Sequence, residues 1–180
     1  MISSFSNYED IVSNFSWPIY EDFNIADVCC DKWANKDASR IALIEVNGHG
    51  ESKEVTYKEL QEKSNRLANS LVAKGVASGD RVGIYLPQCS ETAVSHFACY
   101  KLGAIAVPLF SLFGPDAVFH RMNDCSMRVV ITDARGLENL SSIIDDLNSL
   151  EVVYSIEPCE SGVNSIDFHK DISLFDERFS

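Results

Sequence analysis

The chain has 180 residues, enough for one domain at roughly 100–200 residues per domain. Fifteen Lys and Arg against 27 Asp and Glu give a formal charge of −12, so the chain repels nucleic acid and anionic membrane surfaces, and neither is expected as a partner. Hydrophobic residues make up 46% of it, enough for a packed core, which excludes wholesale disorder.

Residues 1–40 read as a peripheral helical segment. One helix is expected near Tyr8–Phe15. A second is expected near Ile25–Asn35, where Ile25, Val28, Cys29 and Trp33 recur at helical spacing. The leading stretch has carboxylates and no basic region, unlike a signal or transit peptide, and Met1 is read as a genuine start. No run approaches about 18 apolar residues, so no membrane span is expected and a cytoplasmic location follows. In that compartment Cys29, Cys30, Cys89, Cys99, Cys125 and Cys159 are expected as free thiols, and the vicinal Cys29 and Cys30 as helix neighbours instead of a redox pair.

Residues 41–156 read as an α/β subdomain. Ile41–Val46 and Glu54–Thr56 flank the turn Asn47–Gly50 as a strand and its return. Thr56 and Glu59 form a capping box opening a helix that Gly75 closes. Strands Val82–Leu86, Ala104–Val107, Val129–Ile131 and Val152–Tyr154 then alternate with helices over Glu91–Leu102, Pro115–Asp124 and Leu137–Leu147. Short, continuously apolar strands in such alternation predict a mostly parallel sheet with helices on both faces. Residues 157–180 read as a polar, weakly patterned tail.

Chemistry is sparse in this pattern. Gly75, Gly79 and Gly83 precede a strand and are too widely spaced for a dinucleotide fingerprint, and no phosphate-loop signature occurs. There is no G-x-S-x-G elbow for a nucleophile and no spacing that suits a metal. His49 reads as a turn residue, His96 as a packed or edge histidine, and His120 with Arg121 as a solvated helix face. Asp145 and Asp146 point about 100° apart on a helix, so they do not converge on one substrate. No catalytic residue and no metal ligand is assigned to the chain.

Four segments in register resemble the N-terminal part of the adenylate-forming superfamily, which holds acyl-CoA synthetases, luciferases and peptide-synthetase adenylation domains. Val55-Thr-Tyr-Lys-Glu-Leu60, continued by Asn65-Arg-Leu-Ala-Asn-Ser-Leu71, resembles its first core motif. Gly75-Val-Ala-Ser-Gly-Asp-Arg-Val82 resembles its G-V-x-x-G-D-x-V turn. Tyr100-Lys-Leu-Gly-Ala-Ile-Ala-Val-Pro-Leu109 resembles its second core motif, and Arg121–Asp133 the helix and strand after it. Pro108-Leu-Phe-Ser-Leu-Phe-Gly-Pro-Asp-Ala117 leans toward short- and medium-chain acyl-CoA synthetases of the acetyl-CoA synthetase-like branch, where this loop approaches the CoA nucleotide.

The resemblance implies a parent enzyme that joins a carboxylic acid to ATP and then transfers the acyl group from AMP to CoA, with ATP, Mg and CoA as its small-molecule requirements. It implies CoA contact at Phe110, at Ser111 and at Arg135, whose forked donors suit phosphate. Ser111 and Leu112 stand where acetate-specific members carry glycine. The family's phosphate loop ending in Pro-Lys, its ribose-binding Asp and its catalytic Lys do not occur here. The chain is therefore read as an N-terminal fragment, inactive alone and binding no cofactor by itself, whose tail leads toward an absent ATP-binding region. Other readings are a truncated binding or interaction module that self-associates through an exposed sheet face, a fragment of an amino-acid adenylation domain, or a flavodoxin-like domain outside the superfamily.

Overall fold

Strands with helices on both faces have no solvent side, and the apolar runs in this sequence fold accordingly. The computed structural model describes residues 6–17 and 19–179. Met1 with the rest of residues 1–5, Pro18 and Ser180 lie outside the described residues.

Five strands form a parallel sheet: β3 (Arg81–Tyr85), β4 (Ile105–Pro108), β5 (Val129–Thr132), β6 (Val152–Ser155) and β7 (Ile166–Asp167), in the order β4-β3-β5-β6-β7. Every residue of β5 is buried. Val82 aligns with Ala106 on one side and Val129 on the other. Alternate side chains feed two cores, as the period of two requires. On one face Val82, Ile84, Val129, Ile131 and Tyr154 pack on Leu60, Leu67 and Leu71 of α3 (Tyr57–Ala73) and Val94 and Ala98 of α4 (Ser90–Leu102). On the other, Tyr85, Val130 and Val153 pack on Val118 and Met122 of α5 (Pro115–Asp124) and Leu137 and Leu140 of α6 (Ala134–Ser141).

An apolar sheet face left open for self-association is therefore not a feature of this sheet. Exposed apolar strand residues sit at the edge strand β4, where Ile105 is 50% exposed, and on the two-stranded antiparallel ribbon of β1 (Ile41–Val46) and β2 (Ser52–Thr56), where Ile44 and Val46 are each 62% exposed. A two-stranded ribbon has one face on the body and the other in water.

The family-like segments acquire physical roles. Thr56 Oγ1 accepts from the Glu59 amide at 3.1 Å and Glu59 Oε2 from the Thr56 amide at 2.8 Å, the reciprocal box expected of those residues. Asp80 accepts the Ala77 amide at 2.8 Å and pairs with Arg128, which tightens the turn into β3. Gly103 ends α4 in the left-handed region, φ 71°, and a Cβ there would lie 2.8 Å from the Ser78 hydroxyl.

Three expectations shift. The segment near Ile25–Asn35 contains a π-helical turn, Asp27–Asp31, before α2 (Lys32–Lys36). Its buried stripe is Ala26, Cys30 and Ala34, while Ile25, Val28 and Cys29 are exposed, because small side chains allow close approach to α3. The helix expected over Leu137–Leu147 starts earlier, where Asp133 accepts the Gly136 amide at 2.8 Å. It then breaks into a 3-10 turn, Ile144–Asp146, after Ser141 and Ser142 bond back to carbonyls three residues before them. Residues 157–180 supply β7 and α7 (Phe168–Ile172), with Phe168 and Ile172 buried. A two-residue strand carries no periodicity for a sequence reading to detect.

Beyond α7, residues 175–178 form a strap held by α3. Asn65, Arg66 and Asn69 donate to the carbonyls of Glu177 (2.8 Å), Phe175 (2.6 Å), and Asp176 and Arg178 (2.9 and 2.8 Å). Such side chains read backbone and so hold a strap whatever its sequence. Beneath it, the Ser70 hydroxyl sits between the Tyr154 phenol and the Asp171 carboxylate. Helix α1 (Tyr8–Asn14) stands at the periphery with no buried residue.

Candidate functional site

Parallel sheets bind ligands outside the carboxyl ends of their strands, and a cavity of about 800 Å³ opens there, beyond β3 and β4. Its end is built from Ile84 of β3 with Leu86, Pro87 and Gln88 after it, and from Pro108 at the end of β4 with Leu109, Phe110 and Ser111 after it. One side is the face of α4 and its N-cap carrying Cys89, Ser90, Thr92, Ala93 and His96. The other is the ribbon strand β1, from Leu43 to Val46. Glu45 reaches across and accepts the Ser90 amide at 3.3 Å, which ties ribbon to helix.

Phe110 stands at this cavity 59% exposed, and the fold fixes where it stands. The Leu109 amide donates to the Ile84 carbonyl at 2.9 Å and its side chain is buried. The Phe113 amide closes a turn onto the Phe110 carbonyl at 2.9 Å. The Phe113 carbonyl accepts from the Tyr85 phenol and from Asn139, which itself donates to that phenol at 2.7 Å. The Phe113 ring lies under the Arg121 guanidinium, 4.1 Å from the centroid, and meets Phe110 edge to face at 5.8 Å. A phenyl ring is thus presented to the cavity on a rigid turn. Ser111 lines the same cavity beside it.

Arg135 is not brought to that lining. It is exposed on the first turn of α6, beyond the carboxyl end of β5. The three residues that the resemblance assigned to CoA are therefore split into a pair at the cavity and a separate guanidinium.

The polar groups of the cavity are uncharged or acidic. His96, half-buried, contacts the Tyr100 phenol through Nδ1 at 3.1 Å, and burial pushes its pKa below the ordinary imidazole value. Burial raises the Cys89 thiol, so it is not poised as a nucleophile. Sequence reasoning missed the cavity role of His96. The signal was present in the spacing of Cys89, Thr92, Ala93 and His96 on one helical face, but it is indistinguishable from a core stripe until β1 is placed opposite. Among the described residues no group of three His, Cys, Asp or Glu is placed to hold a metal, and no helix is long and apolar enough to cross a membrane. The arrangement can stack, bury and hydrogen-bond a ligand, and it offers no cation where phosphate charge would develop.

Similarity to known proteins is extensive. The family profile described as AMP-binding enzyme matches residues 30–172. Acetyl-coenzyme A synthetase of Bradyrhizobium diazoefficiens is 41% identical over 127 residues, 69% of this chain and 20% of that protein. Acetyl-coenzyme A synthetase of Escherichia coli (strain K12) is 37% identical over 152 residues, 80% of this chain and 23% of that protein. The chain thus spans about a fifth of the length of the curated relatives it matches. Among solved structures, an acyl-CoA synthetase of Brucella canis aligns with TM-score 0.80 at 24% identity, over 96% of this chain and 33% of that one. An anthranilate CoA ligase in complex with anthranoyl-AMP aligns with TM-score 0.77 at 27% identity, over 91% of this chain and 29% of that one. The strand order is shared with flavodoxin-like domains, so it is these matches and not topology that separate the two readings.

Proposed function

The chain belongs to the AMP-binding enzyme family, and from that premise we propose that it forms the α/β unit carrying part of the CoA site in an AMP-forming acyl-CoA synthetase of the acetyl-CoA synthetase-like branch. The parent reaction is acid–thiol ligation. A carboxylate oxygen attacks the α-phosphorus of ATP, pyrophosphate leaves, and the CoA sulfur then attacks the acyl-adenylate carbonyl and expels AMP. The observation that carries the reading is the Phe110 ring fixed at the mouth of an apolar cavity, in a chain 37–44% identical to acetyl-CoA synthetases.

In this reading Phe110 stacks on the adenine of CoA, Ser111 hydrogen-bonds beside it, and Arg135, off the lining, meets the nucleotide phosphates. ATP and Mg belong to the parent's adenylation step. No residue of this chain is assigned to that step, because the cavity places no cation against phosphate. The 180 residues alone are therefore inactive. The same reading puts the enzyme in the cytoplasm. A CoA ligase is favoured over an amino-acid adenylation domain, since the Brucella canis protein and the anthranilate enzyme are both CoA-ligating enzymes.

The test is a chimera in which residues 1–180 replace the matched segment of the Escherichia coli acetyl-coenzyme A synthetase. Acid- and ATP-dependent acyl-CoA formation is expected from the chimera and not from the isolated chain. Phe110→Ala should raise KM for CoA and leave pyrophosphate release in the first half-reaction unchanged. Equal loss of both half-reactions, or pyrophosphate release by the isolated chain, overturns the assignment.

A further inference from the structure

The amino-terminal arm, residues 6–24, has no use in the cavity site. None of its described residues is buried. Helix α1 is seven residues long, and the side-chain bonds described for it are local: Asn7 accepts the Asp10 amide at 2.9 Å, and Asp10 accepts from Asn14 at 2.7 Å. Isolated helices shorter than ~12–15 residues are marginal in water, so such a helix depends on something its apolar side can pack against. Tyr8, Ile11 and Val12 recur on that side at helical spacing, all exposed. Beyond α1, Trp17 is 80% and Ile19 92% exposed, and Tyr20 and Phe23 stack on each other at 5.7 Å in the open. Contiguous apolar surface of this kind marks an interface.

Charge narrows the partner. Between residues 6 and 24 the sequence has four acids, Glu9, Asp10, Glu21 and Asp22, and no Lys or Arg. An acidic, aromatic arm is repelled by nucleic acid and anionic lipid and fits an apolar groove with a basic rim. A second copy, at net charge −12, is poorly suited to supply one. Length supplies the remaining argument. The alignment with the Brucella canis structure covers 96% of this chain, too much to leave out the arm, and only 33% of the other. A fold of this kind thus occurs with two further thirds of polypeptide around it.

We propose that the arm is a docking element for the remainder of a synthetase polypeptide, and that a basic-rimmed apolar groove of that remainder covers Trp17, Ile19, Tyr20 and Phe23. This rests on the acyl-CoA synthetase reading only for the identity of the partner. Anchored at its far end by Asn24, which donates to the Tyr100 carbonyl at 2.9 Å, the arm joins the groove to the helix that lines the cavity.

Hydroxyl-radical footprinting of the free chain and of the chimera tests it. Oxidation of Trp17 and Tyr20 should be fast in the free chain and severalfold slower in the chimera. In the free chain Ile19→Ser with Phe23→Ser should leave the thermal midpoint unchanged, because those side chains touch no core. Equal oxidation in both proteins overturns the proposal. So does a lowered midpoint in the double variant, which would mean that the arm folds on its own body, or protection that grows with concentration of the free chain, which would make a second copy the occupant. Acyl-CoA formation is scored separately: protection without activity sinks the ligase reading and leaves the docking element, and activity with an exposed Trp17 does the reverse.

Discussion

Replacing Lys101 by Met is expected to be among the most damaging single changes outside the apolar core. Lys101 lies in the segment that resembles the family's second core motif, yet its side chain is only 5% exposed and does not line the cavity described above. Its ammonium donates to Asp31 Oδ1 and to Asn65 Oδ1, both at 2.6 Å. It thereby joins α4 to the π-helical turn and to α3. Methionine keeps the length and the apolar stem but leaves a partly buried Asp31 carboxylate without its cation. Breaking such a pair costs about 3–5 kcal/mol, and the residual exposure of Asp31 favours the lower end. For a domain of this size roughly 2–4 °C of midpoint follows each kcal/mol, so a fall of about 6–12 °C is expected. Asn65 also loses a partner while its amide holds the Glu177 carbonyl, so hydrogen exchange over residues 175–178 should quicken. Urea unfolding of the single variants, of Asp31→Leu and of the double variant gives the coupling energy. The double variant should recover most of the loss, since an apolar pair of similar volume replaces a buried ion pair without penalty. A loss below about 1 kcal/mol in Lys101→Met, or full additivity of the two changes, would refute the reasoning.

Gly136→Ala should destabilise by about 1–3 kcal/mol, since a Cβ there would collide with Thr132 Oγ1 and lie 2.9 Å from the Tyr85 ring. It should also loosen the Phe110 turn, seen as faster exchange at Phe113, because Tyr85 anchors that turn. Thr56→Ala removes one half of the capping box and should cost about 1 kcal/mol in urea, whereas Thr56→Ser should be nearly silent. Burial pushes the Cys30 and Cys99 thiols up to about 12, and the Tyr154 phenol, mainly by burial, to about 12. The unfolded chain releases these protons first, so the stability they carry is whole below pH about 9 and is lost as pH rises toward 12. The urea midpoint should fall over that window, and a flat alkaline profile would contradict the burial of these groups. Iodoacetamide at pH 8 should modify exposed Cys29 well before Cys30 or Cys99, as mass mapping would show.

Much of this protein is legible in its sequence wherever a signal is local. The ribbon strand Ile41–Val46, the capping box at Thr56 and Glu59, the left-handed stop at Gly103 and the Pro115 helix start are each written in a few adjacent residues. So is the parallel class of the sheet, because a strand buried on both faces cannot alternate. The resemblance reached further than the chemistry, since Lys101, Asn65 and Asn69 belong to family-like segments and hold helices and a strap together. Tertiary structure alone decided the rest. The fifth strand exists only through pairing with β6, and the π-helical turn exchanges the predicted face of Ile25, Val28 and Cys29 for Ala26, Cys30 and Ala34. Phe110 and Ser111 share a cavity, and Arg135 does not, because strand order sets β4 and β5 on opposite sides of β3, a fact about pairing between distant residues that no local pattern encodes.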